Sequence, residues 1–291
     1  MSEEIIATKS DRRSFFKTAG LAGLGGAAAA MFFGGERPLR AQNAPPAGLF
    51  RFDTPGQVFT AALIAEDLAT TFYYHALTGK AITDPALAGS GGTATSIGTD
   101  GNAGNVNYLQ AALSEEIAHA NLFRSLLNTG DASKDPAQTF YFPAGTFDTL
   151  NAVTTTLYAL ESAFIGAYLN AIRAFSNMAA QTGQKGVYYG LNGVNFGPDR
   201  LNYFAEVAAS ILGVEAEHRA LGRVISNTNP ANQLCYESTD GLDAVYNGPA
   251  SAVAALTPFL TASSGLSYSF ATALADQASV SIACSGGAPA F

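Results

Sequence analysis

The chain is poor in charged residues and in cysteine, and it contains no tryptophan. Only 13% of its 291 residues are Asp, Glu, Lys or Arg, whereas roughly a quarter is typical of soluble domains. Hydrophobic residues make up 48%, which excludes a disordered chain and allows one large domain or two small ones. The net charge is −8, and no basic cluster that could neutralise phosphates is present. This composition argues against binding to nucleic acids and to anionic membranes.

The N-terminal segment has the features of an export signal. Residues 11–17 contain two arginines, two phenylalanines and a lysine, and an apolar stretch rich in Gly and Ala follows at 18–35. This order is typical of a twin-arginine signal peptide, so we predict a signal at 1–41, cleaved after Ala41, and a mature protein in the periplasm or cell envelope. An uncleaved membrane anchor is the alternative, because Leu39 is not a small residue. The stretch is short and interrupted by glycine for a span, which needs about 20 apolar residues.

The two cysteines, Cys235 and Cys284, lie late in the chain. In an oxidising compartment an isolated pair is most simply a disulfide, which would stabilise the C-terminal extension by about 4 kcal/mol in the chain-entropy model. A two-cysteine metal site is the alternative, but neither a Cys-x-x-Cys spacing nor a nearby histidine supports it.

Four segments have apolar residues that recur at steps of three and four, the period of a helix with one buried side. The predicted helices cover about 54–77, 106–127, 146–180 and 198–226, and loops rich in Gly, Thr, Asn and Pro separate them. Four helices of this length form a four-helix bundle, and no set of strands competes with it. The sequence therefore predicts an all-α fold.

The predicted organisation has four parts. The signal at 1–41 is followed by a linker at 42–53, the bundle at 54–228 and a less regular C-terminal extension at 229–291. Within the extension, a short helix interrupted by Pro258 is predicted at about 251–263.

Six ionisable residues interrupt the apolar stripes of the predicted helices. Each helix carries a glutamate near its middle, and the second and fourth add a histidine three residues later: Glu66, Glu116, His119, Glu161, Glu215 and His218. Unpaired buried carboxylates are costly, so four of them in one core require a compensating cation. A surface location for all six is the alternative, and it would require every apolar stripe to be misphased.

The spacing of these six residues indicates a dinuclear metal site. Residues three apart lie on the same side of a helix, so each Glu-x-x-His pair can bind one ion. One glutamate from each of two helices and Glu-x-x-His from the other two is the ligand set of di-iron and di-manganese bundles. We therefore predict two iron or manganese ions, with Glu116 and Glu215 bridging both. Glu66 and Glu161 would each bind one of them.

The same order of ligands occurs twice along the chain. Glu66 precedes Glu116 by 50 residues and Glu161 precedes Glu215 by 54, which indicates two similar helical hairpins. Tyr73 and Tyr168 each follow a predicted ligand by seven residues and lie on the same helix face. They are interpreted either as donors to the ligands or redox-active phenols, or as core aromatics with a satisfied hydroxyl.

Other ionisable residues near the six are predicted to point away from the site. His75 and Glu206 lie nine residues from a predicted ligand, which is half a turn out of phase. Asp67, Glu115 and Glu217 are each directly adjacent to a predicted ligand in the sequence, and we expect them to point elsewhere.

Three segments resemble the ferritin-like domain of exported bacterial proteins, a group that includes the plant desiccation-related proteins. They are AEDLATTFY at 65–73, LESAFIGAY at 160–168 and ILGVEAEH at 211–218. The resemblance covers about 54–228 and the short helix near 251–262. It implies a ferritin-like bundle and metal-ligand roles for the six residues, and it implies little about the reaction.

These observations predict an exported protein with a dinuclear iron or manganese centre that reacts with dioxygen or peroxide, in a ferroxidase-like or catalase-like manner. The alternative is a non-enzymatic protein, associated with stress or desiccation or sequestering metal, in which the ions stabilise the bundle. Whether the protein is an enzyme stays open at this point. The long loops argue against a ferritin-type cage, and a homodimer is left open.

Overall fold

A computed structural model of the protein describes residues 53–228, 230 and 255–281. The predicted signal at 1–41, its alternative as an anchor, and the predicted disulfide between Cys235 and Cys284 lie outside these residues. Among the described helices, none combines the length and the apolar character needed to cross a membrane.

The prediction of an all-α four-helix bundle is confirmed. Its helices are α1 (Pro55–Thr78), α2 (Ala103–Leu127), α3 (Leu150–Lys185) and α4 (Pro198–Ile225), and a short α5 (Phe270–Asp276) follows in the C-terminal segment. The most extensive packing between helices joins α3 to α4 and α1 to α2, as expected for two hairpins.

Side-chain caps set the helix bounds. The Thr54 hydroxyl accepts a hydrogen bond from the Gln57 amide and the Gln57 side chain accepts one from the Thr54 amide, so α1 begins with a capping box. The third helix begins at Leu150, later than predicted, because the Thr149 hydroxyl caps it. It continues beyond the predicted end until Gly186, whose φ of 63° provides the left-handed cap.

Two small sheets differ from the prediction, which contained no strands. In the first, β1 (Thr139–Phe142), from the connection between α2 and α3, pairs antiparallel with β4 (Leu266–Ser269) in the C-terminal segment. The second is a hairpin of β2 (Tyr189–Leu191) and β3 (Val194–Phe196), with an Asn-Gly turn whose two residues both have positive φ. Strands of three or four residues are too short to produce a clear period in the sequence.

The C-terminal segment packs on the bundle through β1 and α1. Phe140 and Phe142 of β1 are fully buried, and Phe270, the first residue of α5, is 1% exposed. In the region predicted as a short helix, the described residues form 3₁₀ turns at Thr257–Leu260 and Ala262–Ser264.

The buried apolar residues form two clusters along the bundle. Leu68 and Phe72 of α1 belong to one cluster, while Phe59 and Leu63 belong to the other. Glu66 lies between these two pairs along α1, so the carboxylate region separates two apolar regions.

Candidate metal centre

The four glutamates predicted as ligands lie at the centre of the bundle, one on each long helix. Glu66, Glu116, Glu161 and Glu215 are all at most 1% exposed. Of the two predicted histidines, His218 is buried as well, and the His119 side chain is 14% exposed. The structure thus brings all six predicted residues into one region.

The six residues form two overlapping groups of potential ligands. In each group, one N or O atom from every member lies within 4.8 Å of the others; the groups are Glu66, Glu116, His119, Glu215 and Glu116, Glu161, Glu215, His218. Glu116 and Glu215 occur in both, as expected for residues that bridge two ions. The roles of the six as metal ligands stay a prediction that this geometry supports.

The histidine rings face the glutamates through Nδ1. His119 Nδ1 lies 3.3 Å from Glu66 Oε2 and 3.6 Å from Glu116 Oε2. His218 Nδ1 lies 2.9 Å from Glu116 Oε1, 3.5 Å from Glu215 Oε2 and 3.9 Å from Glu161 Oε1. Each Glu-x-x-His pair therefore points both of its side chains to the same place.

The donor atoms of the site are compatible with bound metal cations. Each of the four glutamates has at least one buried oxygen without a hydrogen-bond partner, and Nδ1 of both histidines is also buried without one. Buried polar atoms in native proteins nearly always have partners, so this concentration calls for a specific explanation. Carboxylate oxygen and imidazole nitrogen without thiolate suit iron and manganese.

A comparison with protein families matches part of the chain. Residues 55–187 match the model of the ferritin-like domain. The match covers α1, α2 and α3, and hence Glu66, Glu116, His119 and Glu161. Glu215 and His218 lie beyond it on α4, and the fold brings them to the other four. Neither the curated proteins nor the solved structures contain a match to the chain.

The electrostatics of the candidate site reflect carboxylates that lie close together in a buried environment. Burial raises the pKa of Glu116, Glu161 and Glu215, and a neighbouring glutamate raises each further. Burial alone would lower the pKa of His119, but Glu116 and Glu66 outweigh it and raise this pKa to about 11. In the absence of a cation, protons must therefore neutralise part of the negative charge.

Two tyrosines form hydrogen bonds that cross the bundle. The Tyr73 hydroxyl on α1 donates to Glu161 Oε1 on α3 at 2.5 Å, and the Tyr168 hydroxyl on α3 donates to Glu66 Oε1 on α1. Burial raises the pKa of both phenols well above the usual range, so both stay protonated donors. Of the interpretations left open by the sequence, the structure supports satisfied hydroxyls that donate to the predicted ligands.

Glu115 is the residue near the site that the sequence prediction placed wrongly. It was expected to point elsewhere, yet its Oε2 lies 2.8 Å from His218 Nε2, on the side of the ring opposite to the other glutamates. Adjacent residues on one helix do point in different directions, but a side chain from a neighbouring helix can meet either of them. The helix period alone could not reveal this contact.

The other neighbouring ionisable residues are outside the site. Asp67 is buried, and Arg124 donates hydrogen bonds of 2.6 Å to it and to Asp135. Glu206 and Glu217 are exposed, as predicted. His75 also lies away from the six residues.

His75 is less exposed than the sequence indicated. Its ring lies against those of Phe147 and Tyr268, with centroids 5.6 and 4.6 Å away, so the C-terminal segment covers it. The prediction that it faces away from the bundle axis did not include this cover, because β4 is far away in the sequence.

An apolar cavity of about 110 Å³ lies between α1 and α3 beside the site. Alanines form much of its wall, including Ala62, Ala65 and Ala171, and Tyr168 lines it as well. Since the Tyr168 hydroxyl donates to Glu66, this side chain contacts both the cavity and one carboxylate of the site.

Proposed function

We propose that the protein is an exported ferritin-like protein that holds two iron or manganese ions and uses them in redox chemistry on dioxygen or peroxide. The observation that carries this proposal is the pair of overlapping ligand groups that share Glu116 and Glu215. Two adjacent ions would supply the redox chemistry, because each could provide some of the electrons that reduce a small oxidant.

Residues of the chain would hold and enclose such a centre. Glu116 and Glu215 would hold both ions, while Tyr73 and Tyr168 restrict the orientation of Glu161 and Glu66 by hydrogen bonds. The apolar clusters on both sides exclude water from the carboxylates. The cavity next to Tyr168 has a mostly apolar wall, which supports access for a small apolar molecule such as dioxygen.

The first experiment measures metal content and then reactivity. The chain is expressed with its export signal, the folded product is purified from the periplasm, and iron, manganese and zinc per chain are determined by mass spectrometry. We expect about two ions of iron or manganese. Anaerobic protein loaded with Fe(II) is then mixed with dioxygen or hydrogen peroxide, and the absorption spectrum is followed. Folded protein that contains no metal and does not bind added Fe(II) or Mn(II) would contradict the proposal.

A non-enzymatic role, in metal sequestration or in stress or desiccation, is the second candidate. It is favoured by the burial of all four glutamates, since ions bound in an enclosed site stabilise a fold without turnover. Glu116→Ala separates the two candidates. An enzyme would lose activity while the variant remains folded, whereas a structural centre would lose stability and have no activity to lose.

The export proposal has its own test. It rests on the arginine pair at 12–13 and on the apolar stretch that follows. Changing both arginines to lysine should leave the protein in the cytoplasm, as measured by cell fractionation. If the double variant still reaches the periplasm, the twin-arginine route is wrong.

A further inference from the structure

The two halves of the site correspond residue by residue. Glu66 and Tyr73 on α1 correspond to Glu161 and Tyr168 on α3, and the crossed hydrogen bonds obey the same relation. On α2 and α4, the segments EIAHANLFR at 116–124 and EAEHRALGR at 215–223 share the Glu, the His and an Arg eight residues after the Glu. Positions in one half can therefore be compared directly with positions in the other.

The correspondence fails at the residue before each bridging glutamate. On α2 this residue is Glu115, and on α4 it is Val214. Glu115 contacts the histidine of the opposite half, with Oε2 at 2.8 Å from His218 Nε2. Valine has no acceptor for the equivalent contact with His119, and no hydrogen bond to His119 Nε2 is found among the described residues.

This difference affects how strongly each histidine can bind a metal ion through Nδ1. A carboxylate that accepts a hydrogen bond from the outer ring nitrogen fixes the ring orientation and the tautomer, and it strengthens the inner nitrogen as a metal ligand. The Glu115 side chain is half exposed, at 50%, while the His218 side chain is at 1%. Glu115 thus reaches from the surface to Nε2 of a buried ring whose Nδ1 faces Glu116 and Glu215.

We propose that Glu115 is a positioning residue that makes the two metal positions inequivalent, so that the position at His218 binds its ion more tightly than the position at His119. This inference rests on the proposed dinuclear site. It goes further because it assigns a distinct role to each half of a pattern that looks symmetric in its ligands.

The test is a titration of the metal-free protein, purified from the periplasm, with Co(II), followed by visible absorption and chelator competition. Two adjacent cations bind in two steps in any such site. The informative quantity is therefore the change in the dissociation constant of each step that a variant causes. Removal of an outer partner of a metal-bound histidine typically weakens binding by about 10- to 100-fold. We expect Glu115→Val to weaken the tighter step by that factor and to leave the weaker step within about twofold.

Two further variants make the result specific. Glu115→Gln keeps an acceptor oxygen but loses the charge, and we expect it to recover part of the lost affinity. Glu206→Val removes the same charge from an exposed position on α4 and should change neither step. Equal changes in both steps for Glu115→Val, or no change in either, would overturn the proposal.

A spectroscopic measurement identifies the histidine involved. In the Co(II)-loaded protein, the ring N–H of each metal-bound histidine gives a shifted proton signal, and the hydrogen bond to Glu115 should protect that of His218 from exchange with water. This protected signal should disappear in Glu115→Val; its persistence would contradict the assignment. If the wild-type protein binds no Co(II), Fe(II) or Mn(II), the proposed function itself is wrong. If Glu115→Val binds two ions with the same affinities as the wild type, only this inference is wrong.

Discussion

At the scale of single residues, Tyr73 and Tyr168 supply hydrogen-bond donors to two buried carboxylates that have few other donors. Glu161 Oε2 and Glu66 Oε2 have no hydrogen-bond partner, so the phenols satisfy only the other oxygen of each group. In the metal-free protein these two hydrogen bonds therefore compensate part of the desolvation of Glu161 and Glu66.

Removal of either phenol should destabilise the metal-free protein. Tyr73→Phe leaves Glu161 Oε1 buried without its donor, and we expect the free energy of unfolding in urea to fall by about 1 to 3 kcal/mol. Tyr168→Phe should cause a similar loss through Glu66. The matched control is Tyr203→Phe at a residue that is 48% exposed, where the change should stay within about 0.5 kcal/mol. Equal unfolding curves for all three variants would show that the crossed hydrogen bonds do not contribute.

His75 gives the fold a dependence on pH that is separate from the candidate metal site. Burial lowers its pKa to about 4, below the value of 6.5 expected in the unfolded chain, so the folded state favours the neutral ring. This stability is complete above pH 6.5 and is lost as the pH falls towards 4. We expect His75→Phe to lose less stability than the wild type between pH 7 and pH 4.5 in urea unfolding. Parallel losses in both proteins would exclude His75 as the cause.

Sequence analysis identified the six candidate ligands because each of them interrupts a regular apolar stripe. It misplaced Glu115 because the helix period describes one helix at a time, whereas the partner of Glu115 is on α4. One signal was available: the segments that begin at Glu116 and Glu215 match in three polar positions, and the residues before them, Glu115 and Val214, do not.

At the scale of secondary-structure elements, close packing of α3 against α4 depends on a glycine. A Cβ atom at Gly222 would lie 2.5 Å from Leu157 Cδ2, and Leu157 itself is 1% exposed, so it has little space to move. Gly213 lies on the same helix, but a Cβ atom there would meet nothing within 4 Å. Alanine substitutions at the two positions therefore distinguish the effect of helix propensity from the effect of packing.

Alanine at these two positions should have opposite effects on stability. Gly213→Ala should raise the free energy of unfolding by about 0.5 to 1 kcal/mol, because glycine inside a helix costs conformational entropy. Gly222→Ala gains the same helix propensity but must displace Leu157, and overpacking costs about 1 to 3 kcal/mol. We expect it to be less stable than the wild type in urea unfolding. If Gly222→Ala is as stable as Gly213→Ala, α3 and α4 can separate at no cost.

The elements that the sequence did not predict are those formed by distant partners. Thr139–Phe142 becomes a strand because Leu266–Ser269 pairs with it, and the register joins Phe140 to Tyr268. Neither segment is long enough to show a period, and no local pattern relates the two. The four long helices carry their own apolar stripes and caps, so they could be predicted to within a few residues.

For the molecule as a whole, the site places four glutamates and only two histidines in the core of the bundle. Even with both histidines charged, full ionisation of the glutamates would leave net negative charge in a dry region, which is unfavourable. The apolar clusters on both sides must therefore maintain the fold of the metal-free protein against this cost. Bound cations would remove it, so metal binding and folding should be linked.

Metal removal should consequently lower the stability of the whole chain. We expect Mn(II) at about 100 times its dissociation constant to raise the free energy of unfolding by about 2.7 kcal/mol per site relative to chelator-treated protein. Glu161→Gln preserves size and an acceptor for Tyr73 while it removes a buried acid, so its metal-free form should be at least as stable as the wild type. The same variant should gain less from Mn(II), because one candidate ligand is missing. If Glu161→Gln is more stable than the wild type without metal and less stable with Mn(II), then Glu161 serves metal binding at the expense of metal-free stability. A wild-type protein that unfolds identically with and without Mn(II) would exclude the linkage.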